Sequence, residues 1–200
     1  MRNKIKLFVF LMLILLSLLF VQFVTAYSAA CETFAEQGIK GTVTNDINKL
    51  IANILINDKE RKNYETINTN EDGRITSIII ETAQINAIAL DIANNIYEKI
   101  SEFDYNFGLP LGNAFGIRML SGYGPKIKFR ITPLGITNFD IKSEVISSGI
   151  NQSLHRIRVV FTTEIVCLAP FNESIECIET ELILTEYLII GEIPQIFVQR

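Results

Sequence analysis

The hydrophobic pattern changes period twice along this chain. From Leu7 to Val21 it reads LFVFLMLILLSLLFV, broken only by Ser17, and no charge occurs between Lys6 and Glu32. A helix over residues 7–26 would be about 30 Å long at ~1.5 Å per residue, which matches the hydrocarbon core of a bilayer. Arg2, Lys4 and Lys6 precede it and hold residues 1–6 as a cytoplasmic tail. Residues 7–26 are then a transmembrane anchor, and residues 27–200 a single extracytoplasmic domain. The competing reading is a cleaved signal peptide, whose apolar region is usually shorter. Ala26-Tyr27-Ser28-Ala29-Ala30 offers a cleavage site, and Ala29-Ala30-Cys31 faintly resembles a lipidation site in which Ser28 replaces the usual larger aliphatic. The length of the run favours a retained anchor.

Beyond the anchor the pattern has helical period. Residues 27–57 read as helix, with Ile39, Val43, Ile47, Leu50, Ile51, Ile54 and Leu55 on one face. Gly38 and Gly41 weaken its first half, and Thr44 is placed to cap a second segment. Residues 64–68 and 74–80 read as short strands around the turn Asn70-Glu71-Asp72-Gly73, whose spacing is not that of a calcium loop. Residues 82–103 form the clearest helix, with a stripe of Ile85, Ile88, Ile92, Ile96, Ile100 and Phe103. Residues 106–125 are glycine-rich and read as an ordered loop with a helical turn near 114–120. They lack the lysine and hydroxyl ending of a phosphate-binding loop.

From Lys126 the period becomes two. Ile127, Phe129 and Ile131 alternate with Lys128 and Arg130, and Phe139, Ile141 and Val145 alternate with Asp140, Lys142 and Glu144. The strand breaks over Ser147–Ser153 and resumes over Leu154–Leu168. A hairpin centred on Ile150 sets Phe139 opposite Phe161, Ile141 opposite Val159, Val145 opposite His155 and Glu144 opposite Arg156, and sets Lys142 unfavourably opposite Arg158. Pro170-Phe171-Asn172-Glu173 makes the next turn, and Ser174–Ile190 is the last long strand. The fold class is α+β: an N-terminal transmembrane helix followed by two helices packed on a mostly antiparallel sheet.

Composition narrows the chemistry. The net charge of −4 supplies no basic field for nucleic acid. Cys167 and Cys177 flank a turn and would face each other in a hairpin centred on Asn172. A disulfide and two packed thiols both remain open there. His155 is the one histidine. Strand parity points it with Ile157 and Val159 towards the packed face, and a satisfied core histidine is the favoured reading. One histidine and three scattered cysteines do not make a zinc site, so neither metal nor cofactor is expected. No nucleophile elbow precedes a helix. Carboxylate pairs such as Glu179/Glu181 or Asp140/Glu144 sit on faces that look solvated. The balance leans away from an enzyme.

Five motifs in order carry a family resemblance: Leu109-Pro110-Leu111-Gly112-Asn113, Ser121-Gly122-Tyr123-Gly124-Pro125-Lys126-Ile127, Pro133-Leu134-Gly135, Gly149-Ile150-Asn151-Gln152-Ser153-Leu154-His155-Arg156-Ile157, and Glu186-Tyr187-Leu188-Ile189-Ile190-Gly191-Glu192-Ile193-Pro194. With these the chain resembles the YunB family of sporulation proteins, in which the fourth motif runs GINQT-x-HRI. Ser153 and Tyr187 stand where the family has threonine. The resemblance also implies the N-terminal membrane segment and a role in spore formation, in the mother cell of an endospore-forming bacterium. It implies no reaction. Gly149, Ile150, Asn151, Gln152, His155 and Arg156 are the candidate functional motif, although a demanding turn explains them slightly better. Pro110, Gly112, Gly122, Gly124 and Pro125 are the candidate loop.

Three functions follow as expectations. The first is a non-enzymatic assembly or scaffold factor in the forespore envelope, anchored in the mother-cell membrane around the forespore. Its partners would be the membrane, other spore-envelope proteins or its own copies. The order of helices and strands is similar to ring-building modules of sporulation channels, an analogy of order alone. The second is a cell-wall-acting enzyme using His155 and a nearby carboxylate. The third is a module that binds lipid or a partner through loop 106–125.

Overall fold

Helix α1 runs from Arg2 to Phe34 and is long and apolar enough to cross a membrane. Its large apolar side chains from Ile5 to Val21 are 41–68% exposed, so the other described residues leave them largely uncovered. The structure is a computed structural model and describes residues 2–57, 64–73, 75–102, 107–115, 118–149 and 152–190. The α+β expectation holds, with a mostly antiparallel sheet. Two compact units are formed, one from Met1–Val43, Ile100–Leu134 and Ile165–Glu176, the other from Thr44–Lys99, Gly135–Glu164 and Cys177–Arg200.

In the first unit α1 passes through a π-helical turn, Ala35–Ile39, into the start of α2 (Lys40–Asn57), whose residues from Thr44 onward belong to the second unit. The sequence explains the turn. Buried Tyr27, Cys31, Ala35, Ile39 and Val43 recur every four residues. An ordinary helix turns about 100° per residue, so such a stripe drifts by roughly 40° at each step. One wider turn takes the drift back and keeps the stripe on the core. The two glycines therefore do not interrupt the helix, and Thr44 lies inside α2 rather than capping it. A Cβ on Gly38 would come within 3.3 Å of the Phe34 ring, so glycine leaves room for that ring.

Strand β3 (Phe107–Pro110) pairs antiparallel with β4 (Lys126–Pro133), with Leu109 opposite Ile127. The final residues of β6 (Gln152–Ala169) pair with β4, Cys167 opposite Ile131. Phe34 packs its ring on Phe129 at 5.2 Å and Phe107 at 6.5 Å. The turn after β6 is tied to α1. Tyr27 donates its hydroxyl proton to the Pro170 carbonyl at 2.7 Å, and Asn172 donates its amide to the Ser28 hydroxyl at 2.7 Å.

The second unit holds a two-stranded sheet of β1 (Glu65–Thr69) and β2 (Ile75–Ile80), closed by Gly73 in the left-handed region at φ 77°. Helix α3 (Thr82–Glu102) follows and buries Ile85, Ile88, Ile92 and Ile96 as the spacing requires. Phe103, the expected end of its stripe, and Arg74, the expected first strand residue, lie outside the described residues. Strand β5 (Asn138–Gly149) pairs antiparallel with β6 in the expected register: Phe139↔Phe161, Ile141↔Val159, Lys142↔Arg158, Glu144↔Arg156 and Val145↔His155. Phe161 is 1% exposed, and burying such a side chain contributes roughly 1.5–3 kcal/mol.

Four expectations need correction. The break at Ser147–Ser153 is narrower, because Ser147↔Ser153 and Gly149↔Gln152 still pair across a bulge. Val145 is 67% exposed although it shares the face of His155. The loop after residue 106 contains β3, since Phe107–Pro110 finds a ladder partner in β4. Finally, β7 (Asn172–Ile190) begins directly after Pro170-Phe171, so the turn is not centred on Asn172. It pairs with β6, and a two-residue connection makes that pair antiparallel. Cys31, Cys167 and Cys177 are free thiols. Burial first, and then the charge of Glu176, push the Cys167 thiol up to about 11, with the nearness of the Ser174 hydroxyl pulling it back. A thiol that far above neutrality is a poor nucleophile.

Candidate functional site

In the second unit the β5–β6 register decides which side chains meet His155. Residues opposite one another share a face, so Ser143 and Val145 lie on the face of His155 and Ile157. Ser143 Oγ is 3.0 Å from His155 Nε2. On the other side of the ring, His155 Nδ1 is 3.7 Å from Glu65 Oε2, at the head of β1. The histidine side chain is 7% exposed and the Glu65 side chain fully buried. Burial is the main influence on Glu65 and pushes its carboxyl above the usual range. The charge of His155 and the nearness of Thr185 and His155 as donors pull it back. Among the described residues no hydrogen bond is completed to either Glu65 oxygen or to His155 Nδ1.

This arrangement makes one tautomer self-consistent. With the proton on Nδ1, the ring directs it at Glu65, and Nε2 accepts from Ser143. That is the order of groups in a serine–histidine–acid relay, although 3.7 Å exceeds a hydrogen bond. The same cluster also serves as a polar clamp that fixes β1 over the β5–β6 hairpin.

Arg156 lies on the opposite face. Its Nε donates to Glu186 at 2.6 Å, and its guanidinium is 3.8 Å from Glu144. Arg158 binds Glu144 at 3.3 Å and Glu181 at 3.2 Å. The expected Glu144–Arg156 pair is therefore present. The unfavourable Lys142–Arg158 juxtaposition is relieved, because Lys142 turns to Asp140 at 3.7 Å. These groups are partly exposed, and such pairs contribute little individually. The described residues of the motif from Gly149 to Arg156 thus do not converge on one point. Gly149 holds φ at 145°, Gln152 opens β6, and His155 and Arg156 face opposite ways. Ile150 and Asn151 lie outside the described residues.

The loop residues have a separate role in the first unit. Leu111 N–H donates to the Pro125 carbonyl at 3.0 Å, and Gly112 N–H to the Tyr123 carbonyl at 2.9 Å. Asn113 Oδ1 accepts from Gly122 N–H at 2.8 Å and Ser121 Oγ at 3.1 Å. A Cβ on Gly112 would collide with the carbonyl oxygens of Leu120 and Tyr123. Gly122 and Gly124 occupy the left-handed region at 85° and 97°. Pro110 ends β3, and Pro125 precedes β4. Gly112→Ala should therefore lower stability by about 1–3 kcal/mol. Gly41→Ala, in a helix with open space around it, should raise it by up to about 1 kcal/mol. Thermal melting of the detergent-solubilised chain reads both. Among the described residues no three His, Cys, Asp or Glu side chains are grouped to hold a metal ion.

Residues 106–196 match the family model described as Sporulation protein YunB. The chain is similar to the YunB family of sporulation proteins. The Sporulation protein YunB of Bacillus subtilis (strain 168) is 22% identical over 173 residues, covering 81% of this chain and 68% of the relative. No solved structure matches the chain. The YunB match contains both the loop and the Ser143–His155 contact, whereas Glu65 lies before it.

Sequence reasoning passed over Glu65 and Ser143. A signal was present in each case. Glu65 has the parity of Ile67 in β1, and Ser143 has the parity of Ile141 and Val145, so both are polar residues in phase with apolar ones. What the sequence lacked was the placement of β1 beside β6.

Proposed function

We propose that this chain is a single-pass membrane protein that acts in sporulation as a non-enzymatic assembly factor. The observation that carries the reading is α1, an apolar helix of membrane-spanning length whose side chains from Ile5 to Val21 are left largely exposed by the other described residues. In this reading residues 1–6 face the cytoplasm and residues 27–200 lie outside it, attached to the mother-cell membrane around the forespore. The similarity to the YunB family supports the process. The two clusters bear on the mode of action. His155 and Arg156 take opposite faces of a sheet, Gly112 serves a close backbone approach, and Gly122 and Gly124 take left-handed turns. Both are what a rigid presenting surface needs.

A second reading is hydrolysis, favoured by the Ser143–His155–Glu65 order of groups. One experiment separates the two. The full chain and its Ser143→Ala variant are expressed in sporulating cells that lack the native copy, and treated with a short crosslinker. An assembly factor gives adducts with its own copies or with spore-envelope proteins, and Ser143→Ala sporulates fully. Loss of spores with Ser143→Ala, with crosslinked products unchanged, would favour hydrolysis. A chain that forms no adduct contradicts the assembly role.

A further inference from the structure

Two tips of the first unit flank the end of the apolar span, and both are greasier than a soluble surface requires. The first follows β3. There the Phe115 ring packs on Phe23 of α1 with centroids 5.3 Å apart. Phe115 closes an open apolar groove along Leu13, Leu16, Phe20 and Phe23. Phe23 lies three residues inside the 7–26 span, about 4.5 Å along the helix from its end. A side chain that touches it cannot remain in bulk water if α1 crosses a bilayer. Beyond it on the same loop, Met119 is 84% exposed.

The second tip is the β6–β7 turn. Tyr27 and Ser28, the first residues past the span, hold it through Pro170 and Asn172. Phe171 at its apex is 95% exposed. Its backbone sits at φ 60°, in the left-handed region that glycine or asparagine fills without strain. A large aromatic residue there costs conformational energy and gains no packing within the protein. Strain of this kind persists where the side chain serves a function. Aromatic residues at the level of the headgroups gain burial in the interface.

We propose that Phe171, Phe115 and Met119 insert into the phospholipid interface beside α1, so that the first unit is seated on the bilayer rather than tethered above it. This rests on the reading of α1 as a membrane span, and the test separates the two. The chain has no tryptophan, so single substitutions report cleanly. Leu15→Trp, Met119→Trp and Phe171→Trp are each made in the full chain and reconstituted into phosphatidylcholine vesicles with brominated acyl chains.

The inference expects blue-shifted emission and bromine quenching for all three, with positions 119 and 171 quenched best by bromines near the headgroup. If Leu15→Trp is quenched while either tip emits as a water-exposed indole, the seating is overturned and the anchor stands. If Leu15→Trp is itself unquenched, the anchor fails and the seating fails with it. Phe115 is left unchanged throughout, so its contact with Phe23 is preserved.

Discussion

Replacing His155 with alanine should destabilise the chain at neutral pH by about 1–3 kcal/mol, the usual cost of leaving a buried polar group without its partner. The reason is Glu65. Its side chain is fully buried, its oxygens complete no hydrogen bond among the described residues, and His155 is the neighbour that most lowers its pKa. Without the histidine, ionised Glu65 faces an apolar interior.

The pH dependence follows from the direction of that shift. Glu65 is raised above its ordinary 4.5 in the folded state, so between 4.5 and the raised value the folded chain holds more proton than the unfolded one. Stability from this group is therefore complete below 4.5 and declines as pH rises through the window. Deleting His155 lifts the folded value further and widens the window upward. The loss in His155→Ala should thus be greatest at neutral pH and shrink to the lost packing near pH 4. Glu65→Gln should flatten the slope, and Glu65→Gln with His155→Ala should recover most of the neutral-pH loss. Urea midpoints of the detergent-solubilised chain at the two pH values measure this. An equal loss at both would mean that Glu65 is not the cause.

The cluster also marks where sequence reading stopped. Within the β5–β6 hairpin, local pattern was sufficient. Alternation and one turn set every pair from Phe139↔Phe161 to Val145↔His155, because a slip by one residue would have turned Phe161 and Val159 outward. Helix α3 was legible for the same reason, since its isoleucines repeat at helical spacing. Parity says which face a residue occupies but not what covers that face. Val145, which shares the face of His155, is exposed, while Glu65, which the pattern did not single out, is buried.

The π-turn at Ala35–Ile39 was hidden differently. The four-residue step was visible in the sequence, but reading it as an ordinary helix left no need for a wider turn. In the 110–125 loop, Gly112 could be recognised only as a glycine. Its reason for being one is the carbonyls of Leu120 and Tyr123, which the chain brings back eight and eleven residues later.

The second large effect concerns α1. About twenty apolar residues in a helix give an insertion free energy that a single central charge reduces by roughly 2.5–3.5 kcal/mol. Leu16→Arg, in the middle of the 7–26 run, should therefore release a large share of the chain from membranes. The more direct measurement uses a native thiol. Cys177 is exposed on β7, whereas Cys31 and Cys167 are buried. The full chain is expressed in vegetative protoplasts of a spore-forming bacterium and treated with a membrane-impermeant maleimide before and after permeabilisation, beside a chain carrying Asn3→Cys and Cys177→Ser. The account predicts that Cys177 reacts in closed protoplasts and that the thiol at position 3 reacts only after they are opened. Labelling of Cys177 only after opening would contradict it.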